Sequence, residues 1–103
     1  MGESRKVHAP VSPGEVLREE FMEPLGLTAS GLALALRVHT TRITDIIRTE
    51  KPRSVTAQTA LRLARYFGTT PEFWLALQTA YDLAYEIDVH GPAIEREVQP
   101  RAA

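Results

Sequence analysis

Cysteine is absent from this 103-residue chain, which excludes disulfides and thiolate-bound metal. Its only histidines, His8, His39 and His90, lie far apart with no i, i+4 pairing, so the pattern offers no metal site. No apolar run approaches the length of a membrane span and no signal-peptide pattern opens the chain; the expectation is a cytoplasmic protein with no membrane role. Neither a nucleophile–base pair nor a glycine-rich phosphate loop is present, so neither an enzyme nor a bound cofactor is expected. The adjacent carboxylates Glu19 and Glu20 would point in different directions on a helix and read as a solvated face.

Net charge is also nearly missing, at −1, but it is unevenly spread. Between Arg37 and Arg65 the balance is +5, and the remainder carries −6. Such asymmetry suits one face for an acidic polymer and another for a basic partner, although for any single residue a solvated helix face is the plainer reading. At this length, with 44% apolar and 24% charged residues, the chain is sized for one globular domain with its own core.

What is present is a helix, a tight turn and a second helix between Ala33 and Arg48. Leu32, Leu36, Val38, Ile43, Ile46 and Ile47 form its apolar skeleton, and Ala33 is small where the two helices cross. Val38 in the turn can tuck beneath both. Thr40, Thr41, Arg42, Thr44, Asp45 and Arg48 are left facing outward on the second helix. This spacing lets that helix lie in a DNA major groove. Thr40 and Thr41 stand at the helix start, where free amides also favour phosphate. Arg42 can fork onto guanine or phosphate, and Thr44 can bond a base edge or pack on thymine. Asp45 can accept from cytosine, or orient Arg42 or Arg48. Lys51 and Arg53, in the loop that follows, read as phosphate contacts that position without specifying. The bland alternative is that these residues are merely the wet side of an amphipathic helix.

The flanks supply the remaining elements. Residues 1–11 read as a loose arm whose Arg5 and Lys6 could touch phosphate. Ser12, Pro13 and Glu15 make a capping-box start for a first helix running to about Met22, with Leu17, Phe21 and Leu25 as its buried stripe beside Val16. The run from Glu23 to Leu27 is expected to break it, and Thr28 caps a second helix, Ala29 to Leu36. Its Gly31 costs roughly 1 kcal/mol against alanine unless a close approach needs it. Thr56 caps a fourth helix with Ala57, Ala60, Leu61, Ala64 and Phe67 inward, ended by Gly68. Thr70 and Pro71 start a fifth that ends near Tyr85 or Ile87. That helix is apolar on several sides. Phe73, Trp74, Leu77, Tyr81 and Tyr85 are its candidate dimer interface, and Gln78 is one of its few polar interruptions. Gly91-Pro92 reads as a break, leaving 88–103 as a tail, disordered by default or folding on a partner.

The run from Pro13 to Phe21, the segment Glu23 to Leu27, the helix-turn-helix, Thr59 to Arg65 with Phe67-Gly68, and Thr70 to Leu75 with Gln78, Tyr81, Asp82 and Leu83 together resemble HigA-type antitoxins. These form a branch of the xenobiotic-response-element (XRE) helix-turn-helix family, and the match covers roughly residues 8 to 86. The resemblance implies an all-α, five-helix, lambda-repressor-like domain over residues 12–87. It also implies a homodimer that binds a palindromic operator in double-stranded DNA, represses its own promoter and associates with the nucleoid. Its protein partner would be a small basic HigB-type toxin that cleaves mRNA, neutralised by the antitoxin. Thr40, Thr41, Arg42 and Thr44 fall on the recognition positions. Two positions depart from the pattern. Arg37 replaces the usual turn glycine, so the turn must accept a left-handed arginine or take another shape. Ala29 replaces a common phosphate-contacting glutamine. The alternatives are a stand-alone XRE regulator without a toxin, and an interaction module with a vestigial DNA face.

Overall fold

Four threonine or serine caps set the frame of the fold. In a computed structural model that describes residues 10–102, the Ser12, Thr28, Thr56 and Thr70 hydroxyls accept from the amides three residues on, at 3.2, 3.0, 3.3 and 3.1 Å. The helices they open are α1 (residues 13–25), α2 (Ala29–Leu36), α4 (Ala57–Phe67) and α5 (Pro71–Glu97), with α3 (Thr40–Ile47) following α2 across a tight turn. The expected arm lies outside the described residues up to residue 9, as do Arg5, Lys6 and His8.

α1 is longer than expected and is not regular throughout. Pro13–Val16 is α-helical, Leu17–Met22 is a π-helix, and Glu23–Leu25 returns to α before Gly26 ends it at φ 66°. The wide turns directly precede Pro24, whose ring in a regular helix would collide with the carbonyl four residues back. They also shift the helical phase. Met22, five residues after Leu17, takes the inner position, and Leu25 rotates out to 62% exposure instead of completing the stripe.

The turn between α2 and α3 accepts its arginine in the left-handed form. Arg37 has φ 62° and ψ 45°, its amide bonds Leu34 O at 3.2 Å, and the Val38 amide bonds Ala33 O at 3.0 Å. That is a Schellman closure built on a residue with a Cβ, which costs roughly 1–2 kcal/mol in this conformation. Arg62 Nη1 donates to Leu36 O at 2.9 Å and satisfies another open carbonyl of α2. Replacing Arg37 with glycine removes the steric cost but adds roughly 0.5–1 kcal/mol of chain entropy. A net gain of about 0.5–1 kcal/mol is expected, read as a melting temperature a few degrees higher in thermal unfolding; an unchanged or lower value would contradict the strain.

The core gathers Leu17 and Met22 of α1, Leu32, Ala33 and Leu36 of α2, Ile43 and Ile46 of α3, Ala60, Leu63 and Ala64 of α4, and Trp74 of α5. Leu63 occupies the inner face of α4, and Leu61, expected there, is exposed. Phe21 joins α1 to α4 and α5, with its ring centroid 4.8 Å from Phe67 and 5.1 Å from Trp74. Gly31 serves no helix crossing; an added Cβ would meet only the Thr28 hydroxyl.

α5 passes straight through the expected break at Gly91-Pro92 and ends at Glu97, where the Val98 amide bonds Ile94 O at 2.8 Å. Residues 93–97 alone could not nucleate a helix, but here they extend one already nucleated from Pro71, and propagation is far cheaper than nucleation. The helix therefore crosses the expected boundary at residues 87–88. Its far half projects from the domain, and the radius of gyration is 16.5 Å against about 13 Å for a compact chain of this size. Among the described residues, no helix is long and apolar enough to cross a membrane.

Candidate nucleic-acid interface

α3 is held from beneath by other elements, which leaves one face open. Ile43 and Ile46 point into the core, and Gly14 of α1 lies against the Ile46 carbonyl so closely that a Cβ would sit 1.7 Å from its oxygen. Arg18 donates to the Ile47 carbonyl, so α1 caps the end of α3 as well as crossing it. The opposite face presents Thr41 and Thr44 to solvent, with Asp45 and Arg48 beside them and Thr40 at the start. Arg42 sits at the edge of that face, half-buried. His39 makes no side-chain capping bond, so the first amides of α3 stay open to an outside acceptor.

Asp45 and Arg48, both expected to contact DNA, are brought together. Arg48 Nη1 lies 3.3 Å from Asp45 Oδ1, and Arg48 Nε donates to Lys51 O at 2.9 Å. Of the readings open for Asp45, orienting Arg48 is the one the structure displays. The fork ties α3 to the following loop, as does the Arg53 amide bonded to Asp45 O at 2.9 Å. Lys51 is held there at φ 49°, and Lys51 and Arg53 are exposed beside the end of α3. Thr44 turns its hydroxyl back to Thr41 O at 3.2 Å, which leaves its methyl and hydroxyl lone pairs for contact.

The basic stretch from Arg37 to Arg65 is not one face. Arg37, Arg62 and Arg65 line an open groove of about 580 Å³ with Gln58, Leu61 and Tyr66, between the end of α2 and α4. Arg42, Arg48, Lys51 and Arg53 belong to α3 and its loop.

The five dimer candidates on α5 separate as well. Trp74 is fully buried among the core aromatics, with Nε1 donating to Thr69 Oγ1 at 2.8 Å, so it is a core residue and not an interface residue. Trp74 lies about 100° round the helix from Phe73, on the inner side with Gln78 four residues on, whereas the four-spaced row Phe73, Leu77, Tyr81 and Tyr85 drifts around the axis. Tyr81 and Tyr85 face the loop after α3, lining a crevice of about 470 Å³ with Lys51, Pro52, Asp82 and Glu86. Phe73 and Leu77 start a different stripe, spaced alternately by four and three: Phe73, Leu77, Ala80, Ala84, Ile87, Gly91, Ile94 and Val98. Gln78, which reads from sequence as a polar interruption, is buried.

The same arrangement recurs in proteins of known kind. The helix-turn-helix family profile matches residues 19–74. Virulence-associated protein I of Dichelobacter nodosus is 55% identical over 73 residues, which cover 71% of this chain and 66% of that protein. Antitoxin HigA-1 of Vibrio cholerae is 46% identical over 74 residues, covering 72% and 68% of the two chains. The chain belongs to the helix-turn-helix family, in its HigA-type branch. The Pseudomonas aeruginosa antitoxin HigA, solved with the higBA promoter, superposes on this HigA-type fold with a TM-score of 0.84 at 40% identity, covering 90% of this chain and 99% of that one.

Proposed function

We propose that this protein is the antitoxin of a toxin–antitoxin pair: a homodimer that binds an inverted-repeat operator, represses its own promoter and neutralises a HigB-type mRNA-cleaving toxin. It acts by binding, not by catalysis, in the cytoplasm and on the nucleoid. The observation that carries the DNA part is the open face of α3, with uncapped amides and Thr40, Thr41, Thr44 and Arg42 at its start and Lys51 and Arg53 at its end. A solved HigA of the same fold was captured with promoter DNA, which supports the same use here. α3 reads bases, and the loop sets position on phosphate.

Titration of a duplex carrying the inverted repeat against one carrying a single half-site tests the reading. The full site should bind much more tightly, and equal affinities would count against a dimeric reader. Lys51→Ala should weaken all sequences evenly and flatten the dependence of log K on log salt by about 0.9 per phosphate contact, so ~1.8 for the dimer. An unchanged slope would remove Lys51 from the interface. Expression with the adjacent reading frame tests the toxin part: an antitoxin should co-purify with a small basic protein and relieve its growth arrest. A stand-alone regulator would bind the operator and do neither.

A further inference from the structure

Gln78 is 8% exposed and bonded at both ends of its amide. Its Oε1 accepts from the Val55 amide at 2.7 Å, and its Nε2 donates to Asp82 Oδ1 at 2.9 Å. Val55 is itself buried and closes the loop that carries Lys51 and Arg53. The other end of that loop is tied to α3 by the Arg48 fork and by Asp45 O. Lys51, whose own carbonyl takes the Arg48 bond, sits in the left-handed region, a conformation that lysine adopts only when its surroundings impose it. The α3 ties end at Arg53, and the next tie along the loop is the one at Val55. The tie at Val55 comes from α5, 23 residues along the chain.

The site asks for an amide. It must accept from a backbone N–H and donate to a carboxylate at the same time, and Gln or Asn alone among side chains of suitable shape does both without charge. Glutamate could accept from Val55 only with its second oxygen set against the Asp82 carboxylate, and that repulsion would turn it away from the loop. Methionine would fill the space and make neither bond, leaving a buried N–H unpaired.

We infer that Gln78 is the positioning residue of the DNA interface: from α5 it holds the loop in the form that presents Lys51 and Arg53 to phosphate, with Asp82 fixing the direction of its amide. The inference rests on the operator-binding reading above. It makes the helix that carries the exposed stripe also the helix that sets the phosphate loop.

The test is a set of full-length variants measured by operator titration across salt and by amide hydrogen exchange. Gln78→Met should lose protection at the Val55 amide, bind operator about tenfold more weakly and flatten the salt slope, while its ranking of operator base substitutions stays that of wild type. Gln78→Glu should behave similarly. The double variant Gln78→Glu with Asp82→Asn should restore slope and affinity to within about threefold, because the carboxylate introduced at position 78 can then accept from both Val55 and the new amide at position 82. Circular dichroism and thermal melting identify folded variants, and the double variant decides the matter should Gln78→Met fail to fold. Unchanged salt slopes in the folded single variants, or a double variant no better than Gln78→Glu, would overturn the inference. Failure of the wild-type protein to bind any operator would instead overturn the DNA reading, and Val55 exchange would still report whether Gln78 holds the loop.

Discussion

Gly14→Ala is expected to cost at least about 4 kcal/mol and to leave little or no cooperative unfolding transition. Most substitutions cost 0.5–3 kcal/mol, and larger losses need a specific cause. Here the cause is contact between backbones. The new Cβ would lie 1.7 Å from Ile46 O and 2.6 Å from Ile46 C, and neither atom can swing aside as a flexible side chain would. α1 and α3 would have to part by more than an ångström. That movement would also withdraw Arg18 from the Ile47 carbonyl and loosen the core that Ile46 shares with Leu17. A domain of this size has roughly 5–15 kcal/mol to lose, and each kcal/mol moves the melting temperature by roughly 4–8 °C. Thermal unfolding followed by circular dichroism should therefore show a fall of at least about 16 °C, and since α1 sets the height of α3, operator binding should fail with it. Gly26→Ala is the control. It meets nothing within 4 Å and bears only the left-handed cost at φ 66°, about 1–2 kcal/mol. If both variants melted alike, the close crossing of α1 and α3 would be wrong.

Gly14 also marks the limit of what its own sequence neighbours can show. The caps at Ser12, Thr28, Thr56 and Thr70 were legible because each is complete within three residues of the chain. The helix-turn-helix was legible because Ile43, Ile46 and the turn at Val38 lie close in sequence. Gly14 reads as part of a helix start, because its reason, the Ile46 carbonyl, is 32 positions away. Leu25 and Met22 exchange places because a π-turn changes the helical period, and nothing in the apolar spacing announces one. Nothing near Arg18 or Arg62 in the sequence shows what holds them, yet each ends on an open helix carbonyl from another element. Gln78 looks like an interruption on an apolar helix until Val55 is brought to it. On the candidate site itself, the outward set on α3 was readable from one helix, whereas the Asp45–Arg48–Lys51 fork needed the loop to fold back. Local chemistry was visible in the sequence, and chemistry that depends on a crossing was not.

The largest functional effect is expected from the stripe on α5. Ile87→Glu with Ile94→Glu should turn the dimer into a folded monomer whose affinity for the full operator falls about 100-fold or more. Ile87, Ile94 and Val98 are 60%, 51% and 64% exposed, and no residue of their own domain covers them. With Phe73, Leu77, Ala80, Ala84 and Gly91 they follow the four-three spacing that two helices share as a seam. A helix projecting this far with apolar side chains on show is poorly held by water, and a second copy would bury the stripe on both chains at once. Covering a half-exposed isoleucine contributes about 1 kcal/mol, so four of them in a dimer give ~4 kcal/mol, near a thousandfold in dimer affinity before the repulsion of four added carboxylates. Dimerisation makes the second half-site contact intramolecular, and its loss removes the 10²–10⁴-fold that such linkage supplies. Sedimentation should report monomer mass, operator titration should converge on half-site affinity, and circular dichroism should stay close to wild type because Trp74 and the core are untouched. Tyr85→Ser separates this seam from the row that sequence suggests. Tyr85 faces the Lys51 crevice on another side of α5, so this variant should remain dimeric. A monomeric Tyr85→Ser beside a dimeric double-glutamate variant would move the interface back to the tyrosine row. The two recognition helices would then need another arrangement to reach half-sites about 34 Å apart.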